Sequence, residues 1–237
     1  MIEIIYFVCF WFFSLLYIVV KSLKSNEIKF NSDFLNNLTQ YSTIIKVFPA
    51  GLATLFTLYN GHDSIYLSLI LSLGLFFCML GDLGMEKGLI PGLPIFLVAQ
   101  ILLLVTFTGQ AIEIGITSDS LLLTGFVAVV MVVYIFLFLR YLESSVKGLG
   151  KFRIPVLIYC IFISGMLSST VLLWTTLGRL VIGLMVLVVG GLLFVFSDSI
   201  IAIREFHHDF SYREIKVMST YFAAIFLLSL SPLIIHI

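Results

Sequence analysis

Eight separate stretches of this chain are each long and apolar enough to cross a bilayer, and that leaves it few possible folds. They cover residues 4–20, 43–59, 64–83, 89–107, 120–139, 154–173, 178–203 and 215–235, where a membrane-crossing helix needs about 20 mostly apolar residues. The runs are continuous and do not alternate, which predicts helices and argues against a β-barrel. Hydrophobic residues make up 61% of the 237 and charged residues 11%, against about 45–50% and about 25% in soluble domains. Such a chain cannot cover itself with polar surface, so its solvent is largely lipid. A soluble enzyme, a secreted disulfide scaffold and a disordered tail are all excluded. The expected fold is all-α, a polytopic transmembrane bundle of eight spans forming one integral membrane domain over 1–237. The first span follows Met-Ile-Glu without a basic leader and reads as a retained span, not a signal peptide. The connections are short, the longest being 21–42, and no internal repeat is visible. Cys9, Cys78 and Cys160 lie inside apolar stretches and read as small packing residues.

Charge orients the bundle. The 13 basic residues balance 13 acidic ones, and no basic run is long enough to suggest nucleic acid as a partner. Twelve of the basic residues (Lys21, Lys24, Lys29, Lys46, Lys87, Arg140, Lys147, Lys151, Arg153, Arg204, Arg213 and Lys216) fall after the first, third, fifth and seventh spans or on their flanks. Only Arg179 falls on the other side. This positive-inside bias predicts cytoplasmic loops there and both termini outside or in the lumen. The expected location is the cell membrane in a prokaryote or the endoplasmic reticulum membrane in a eukaryote.

Three ionisable residues sit within spans: Lys46, Asp82 and Asp198. A carboxylate at mid-membrane costs about 2.5–3.5 kcal/mol on insertion scales, so function is the default explanation. Asp82 comes four residues before Glu86 and Asp198 six before Arg204, which places both about 6–9 Å from the same membrane face. Gly74, Cys78 and Gly81 share a helical stripe with Asp82, and Gly183, Gly190 and Gly191 share one with Asp198. Small stripes admit close helix neighbours, so both carboxyls are expected to converge in the bundle interior. Lys46, three residues before Pro49, offsets an aspartate, binds a lipid phosphate or snorkels to the headgroups. Gln100 and Tyr221 are polar residues able to donate a hydrogen bond into a cavity. The pair His207-His208 resembles a metal motif, but adjacent histidines on a helix diverge by about 100°. It reads as a solvated loop, and no metal site is expected.

The ordered set of Lys46 and Pro49 opening span two, Leu80-Gly81-Asp82 ending span three, Leu193-Phe194-Val195-Phe196-Ser197-Asp198-Ser199 in span seven and Tyr221-Phe222-Ala223-Ala224 in span eight resembles the YhhN family. Its members include lysoplasmalogenases, eight-span enzymes that hydrolyse the vinyl-ether bond of lysoplasmalogens. The resemblance implies catalytic roles for Asp82 and Asp198 and substrate contacts from Lys46, Gln100, Ser197 and Tyr221. It covers essentially the whole bundle, with departures. Lys46 and Pro49 are not adjacent, Gln100 stands where a histidine is common, and Ile225 stands where a polar residue is usual.

Vinyl-ether hydrolysis calls for a proton delivered to carbon, stabilisation of an oxocarbenium-like state and an oriented water. Two carboxyls in different environments supply these, as they do in glycosidases. No metal or organic cofactor is required. The partner is a lysophospholipid in the bilayer, its tail among the helices and its head at Lys46. Two other classes fit the same residues: a non-catalytic lipid-binding protein and a proton-coupled lipid or solute transporter.

Overall fold

The computed structural model describes residues 1–25, 38–61, 65–178 and 182–235. Every long apolar run within them is helical, because in hydrocarbon each backbone N–H and C=O must be satisfied inside its own segment. The helices are α1 (Ile2–Lys24), α2 (Ser42–Asn60), α3 (Ile65–Lys87), α4 (Leu89–Ile114), α5 (Ser118–Glu143), α6 (Arg153–Leu177), α7 (Ile182–Phe206) and α8 (Arg213–Ser229). A short α9 (Ser231–Ile235) continues α8 past a break at Leu230, just before Pro232. No strand occurs among the described residues. Eight helical spans among the described residues are long and apolar enough to cross a membrane, so the chain is a multi-pass helical membrane protein.

The start of the seventh span differs from expectation. Gly178 does not open the seventh span; it ends α6 with φ at +103°, in the region that favours glycine. Ser64, Arg179 and Lys29 lie outside the described residues.

Seven helices form a closed ring. α1, α2, α3, α4, α6, α7 and α8 each pack on the next, and α8 returns to α1. α5 lies outside the ring against α6, touching α7 only lightly. The α5 span is accordingly 11% buried and the α6 span 67%, which makes α5 the most lipid-facing helix and α6 an inner one.

The glycine stripes set the tightest contacts. Gly88 alone separates α3 from α4, with φ at +126°. A Cβ placed on Gly84 would lie 2.9 Å from the Gly92 Cα, and one on Gly81 2.8 Å from the Phe96 ring. On α7, Gly190 faces Leu227 and Leu228 of α8 while Gly191 faces Leu167 and Thr170 of α6. Both aspartate-bearing helices are therefore clamped against neighbours that also reach the bundle interior.

Alternating directions gather the ends of α1, α3, α5 and α7 with the starts of α2, α4, α6 and α8. The ion pairs Lys21–Glu86, Arg153–Glu143 and Arg204–Glu214 join these segments at one basic end. The opposite end is tied by aromatic packing: Tyr6 stacks on Phe56 at 3.9 Å, and its hydroxyl lies 2.5 Å from Ser229 Oγ.

Candidate active site

A residue four positions along a helix returns to nearly the same face. Asp82 and Glu86 on α3 obey that spacing, as do Tyr17 and Lys21 on α1, and the two pairs meet inside the ring at its basic end. Lys21 Nζ lies 3.1 Å from Glu86 Oε1, and the Tyr17 hydroxyl donates to the same oxygen at 3.3 Å. Lys46, at the start of α2, stands between the two acids, 3.6 Å from Glu86 Oε1 and 3.5 Å from Asp82 Oδ1. Its Nζ also donates to the Asp82 backbone carbonyl at 3.4 Å. The Tyr221 hydroxyl of α8 donates to Asp82 Oδ2 at 2.8 Å. Phe96 and Phe194 pack edge-on against the Tyr221 ring and hold it there.

Lys46 is 4% exposed and Asp82 2%, so this is a buried ion pair with its remaining valences met by hydrogen bonds. That is the condition under which two charges persist in a low-dielectric interior.

Asp198 has different company. The Tyr159 hydroxyl of α6 donates to its Oδ2, and no Lys or Arg among the described residues forms a salt bridge with it. It is less buried than Asp82 because it opens onto cavity space.

Both aspartates line one polar cavity of about 170 Å³. Tyr17, Lys21, Lys46, Glu86, Arg204, Glu214 and Tyr221 supply the rest of its polar wall. Arg204 NH1 lies 3.4 Å from Glu214 Oε1. Chemically, the cavity offers three cation-paired carboxylates (Asp82, Glu86 and Glu214), a carboxyl without a salt bridge among the described residues (Asp198), and three basic groups, Lys21, Lys46 and Arg204, able to meet a phosphate.

A family model described as the YhhN family matches residues 41–232. The chain belongs to the YhhN family. No curated protein and no solved structure matches it. The match takes in α2 to α8, and α1 lies before it. In this YhhN chain α1 nonetheless contributes Tyr17 and Lys21 to the cavity wall.

Of the residues singled out in the sequence, the structure brings Asp82, Asp198, Lys46 and Tyr221 to one cavity. Gln100 and Ser197 are not among its lining residues. Ser197 is fully buried, and its hydroxyl donates to the Val217 carbonyl at 3.1 Å, which ties α7 to α8. Gln100 is fully buried near the Tyr159 hydroxyl, with neither amide atom in a well-formed hydrogen bond to a described residue. Ile225 is fully buried.

His207 stacks on Tyr141 at 4.2 Å near the basic end. Among the described residues no three His, Cys, Asp or Glu side chains group as metal ligands.

Sequence reading missed Glu86, Lys21, Tyr17 and Tyr159 as members of the site. The first three had a signal in their four-residue spacings. Tyr159 had none, since a tyrosine in an apolar span is ordinary.

Proposed function

We propose that this YhhN-family protein is a lysoplasmalogenase-like hydrolase, cleaving the vinyl-ether bond of lysoplasmenyl-ethanolamine or lysoplasmenyl-choline to a fatty aldehyde and a glycerophospho-alcohol. The observation that carries the reading is the pair of aspartates from α3 and α7 on one polar cavity, one ion-paired and the other not.

One carboxyl gives its proton to the second vinyl carbon, and the C=C electron pair forms the new C–H bond. The positive charge left on the ether-bearing carbon faces the other carboxylate. Water adds there and returns a proton to the first carboxylate, giving a hemiacetal. The hemiacetal loses its glycerol oxygen, with a proton, and becomes the aldehyde. The net change is addition of one water and scission of one C–O bond. Lys21, Lys46 and Arg204 lie on the same wall and suit the phosphate of the headgroup.

The test is aldehyde release by the purified protein from both lysoplasmenyl substrates. Wild-type protein should release aldehyde. Asp82→Asn and Asp198→Asn should each lose about 10²–10⁴-fold in rate, the usual contribution of a positioned acid or base. Lys46→Ala should lower kcat as well as raise KM, because it removes both a basic group of the wall and the ion-pair partner of Asp82. Folded wild-type protein that releases no aldehyde from either substrate overturns the reading. Unaltered release by both Asn variants removes the aspartates from the mechanism. Movement of lipid or solute without aldehyde would point to a transporter.

A further inference from the structure

An apolar groove adjoins the polar cavity, and the two spaces share a wall. The groove lies between α4, α5, α6 and α7, bounded by residues such as Leu93, Phe138, Cys160 and Ile163. Met85, Phe96, Asp198 and Ile201 line both spaces. Asp198 is the only charged side chain among the described residues lining the groove, whereas the cavity carries Lys21, Lys46 and Arg204. The α5 flank belongs to the helix most open to lipid. It meets α7 there through the hydroxyls of Tyr134 and Ser199, 2.5 Å apart.

We propose that this groove holds the single hydrocarbon chain of a lysophospholipid whose headgroup occupies the polar cavity, so that the head–tail junction crosses the shared wall at Asp198. Adjacency of the two spaces across their four shared lining residues and their opposite polarity carry the assignment: an occupant of both needs one ionic end and one apolar end. In a lysoplasmalogen the junction between those ends is the vinyl ether itself. Asp198 then faces the vinyl carbons from the chain side and delivers the proton. Asp82, held by Lys46 and Tyr221, faces the headgroup side, where it steadies the cation and orients water. The chemical part rests on the hydrolase reading, and the binding part does not.

Cys160, 7% exposed on the groove wall, is a probe that needs no catalysis. Full-length protein in phospholipid nanodiscs is treated with N-ethylmaleimide, and peptide mass spectrometry follows modification of Cys160. A saturated alkyl-ether lysophosphatidylcholine, which cannot be hydrolysed as a vinyl ether, is added at about ten times its dissociation constant. Labelling should slow about tenfold, and free glycerophosphocholine should give no protection. Asp198→Asn should keep this protection while losing hydrolysis. Equal labelling with and without the alkyl lipid overturns the assignment.

A second arm uses Ala202→Phe, which adds a ring to the groove wall. The ratio of kcat/KM for a hexadecenyl over a butenyl substrate should fall by about tenfold or more, since each methylene held by the groove contributes about fourfold. Comparing ratios between the two proteins cancels partition into lipid. An unchanged ratio overturns the assignment. Protection of Cys160 without aldehyde from wild-type protein supports the groove and removes the hydrolase reading, so the two fail separately.

Discussion

Lys46 holds two carboxylates at once, Asp82 at 3.5 Å and Glu86 at 3.6 Å, and among the described residues only Glu86 has a second cation, Lys21. Removing the Lys46 charge therefore leaves Asp82 as the uncompensated group. Lys46→Met should destabilise the protein by about 3–5 kcal/mol, the usual cost of a buried charge stripped of its partner. Combination with Asp82→Asn should recover most of that loss. Thermal unfolding in detergent checks both, and a Lys46→Met cost that is the same in the wild-type and Asp82→Asn backgrounds would show that the pair is not coupled. The three in-membrane charges were legible in the sequence because an ion in hydrocarbon needs a reason, and Tyr221 because it shares their end of the bundle. Glu86 looked like the marker of a helix exit, since the sequence could not show that Tyr17 and Lys21 of α1 stand opposite it. Ser197 was drawn in by the family resemblance, yet its hydroxyl bonds to the Val217 carbonyl of α8.

At the scale of helices, Gly74 and Gly81 lie where α3 meets α4, and Gly190 and Gly191 where α7 meets α8 and α6, whereas Gly183 is exposed and lies against Ile234 of α9. Their consequence is testable at Gly81. A methyl there would sit 2.8 Å from the Phe96 ring, and Phe96 lines both the polar cavity and the groove. Gly81→Ala should cost about 1–3 kcal/mol through overpacking, and aldehyde release should fall although no polar group has changed. Gly51→Ala is the comparison, because its nearest neighbour is the flexible Met79 sulfur at 3.3 Å. Equal stability and activity losses in the two would remove the special standing of the α3–α4 contact. Helix existence was readable from apolar run length, and helix ends were not. The seventh span began too early because Gly178 is apolar enough to extend a window, while its backbone conformation stops α6.

The arrangement of the whole molecule shows most in which side the site faces. Cysteine introduced at the fully exposed Val146, in the α5–α6 connection, should react with a membrane-impermeant maleimide only from the cytoplasmic side, as the basic bias predicts. Labelling of Val146→Cys in intact cells would invert the bundle. Ring order was beyond the sequence, because similar apolar runs give no ranking of neighbours, and α5 looked no different from α6. The closure of that ring has a consequence for how the protein is made. The first helix meets the last, through α1 against α8 and through Tyr6 beside Ser229, and α8 carries Tyr221, Val217 and Glu214 into the cavity wall. A nascent chain emerging from the ribosome thus inserts Asp82 and Asp198 before the helix that completes their enclosure exists. Until α8 arrives, the pocket is an open cleft whose charges face lipid or water. Enclosure of the cavity therefore waits for α8, and a chain stalled before that helix leaves Asp82 and Asp198 in an open cleft.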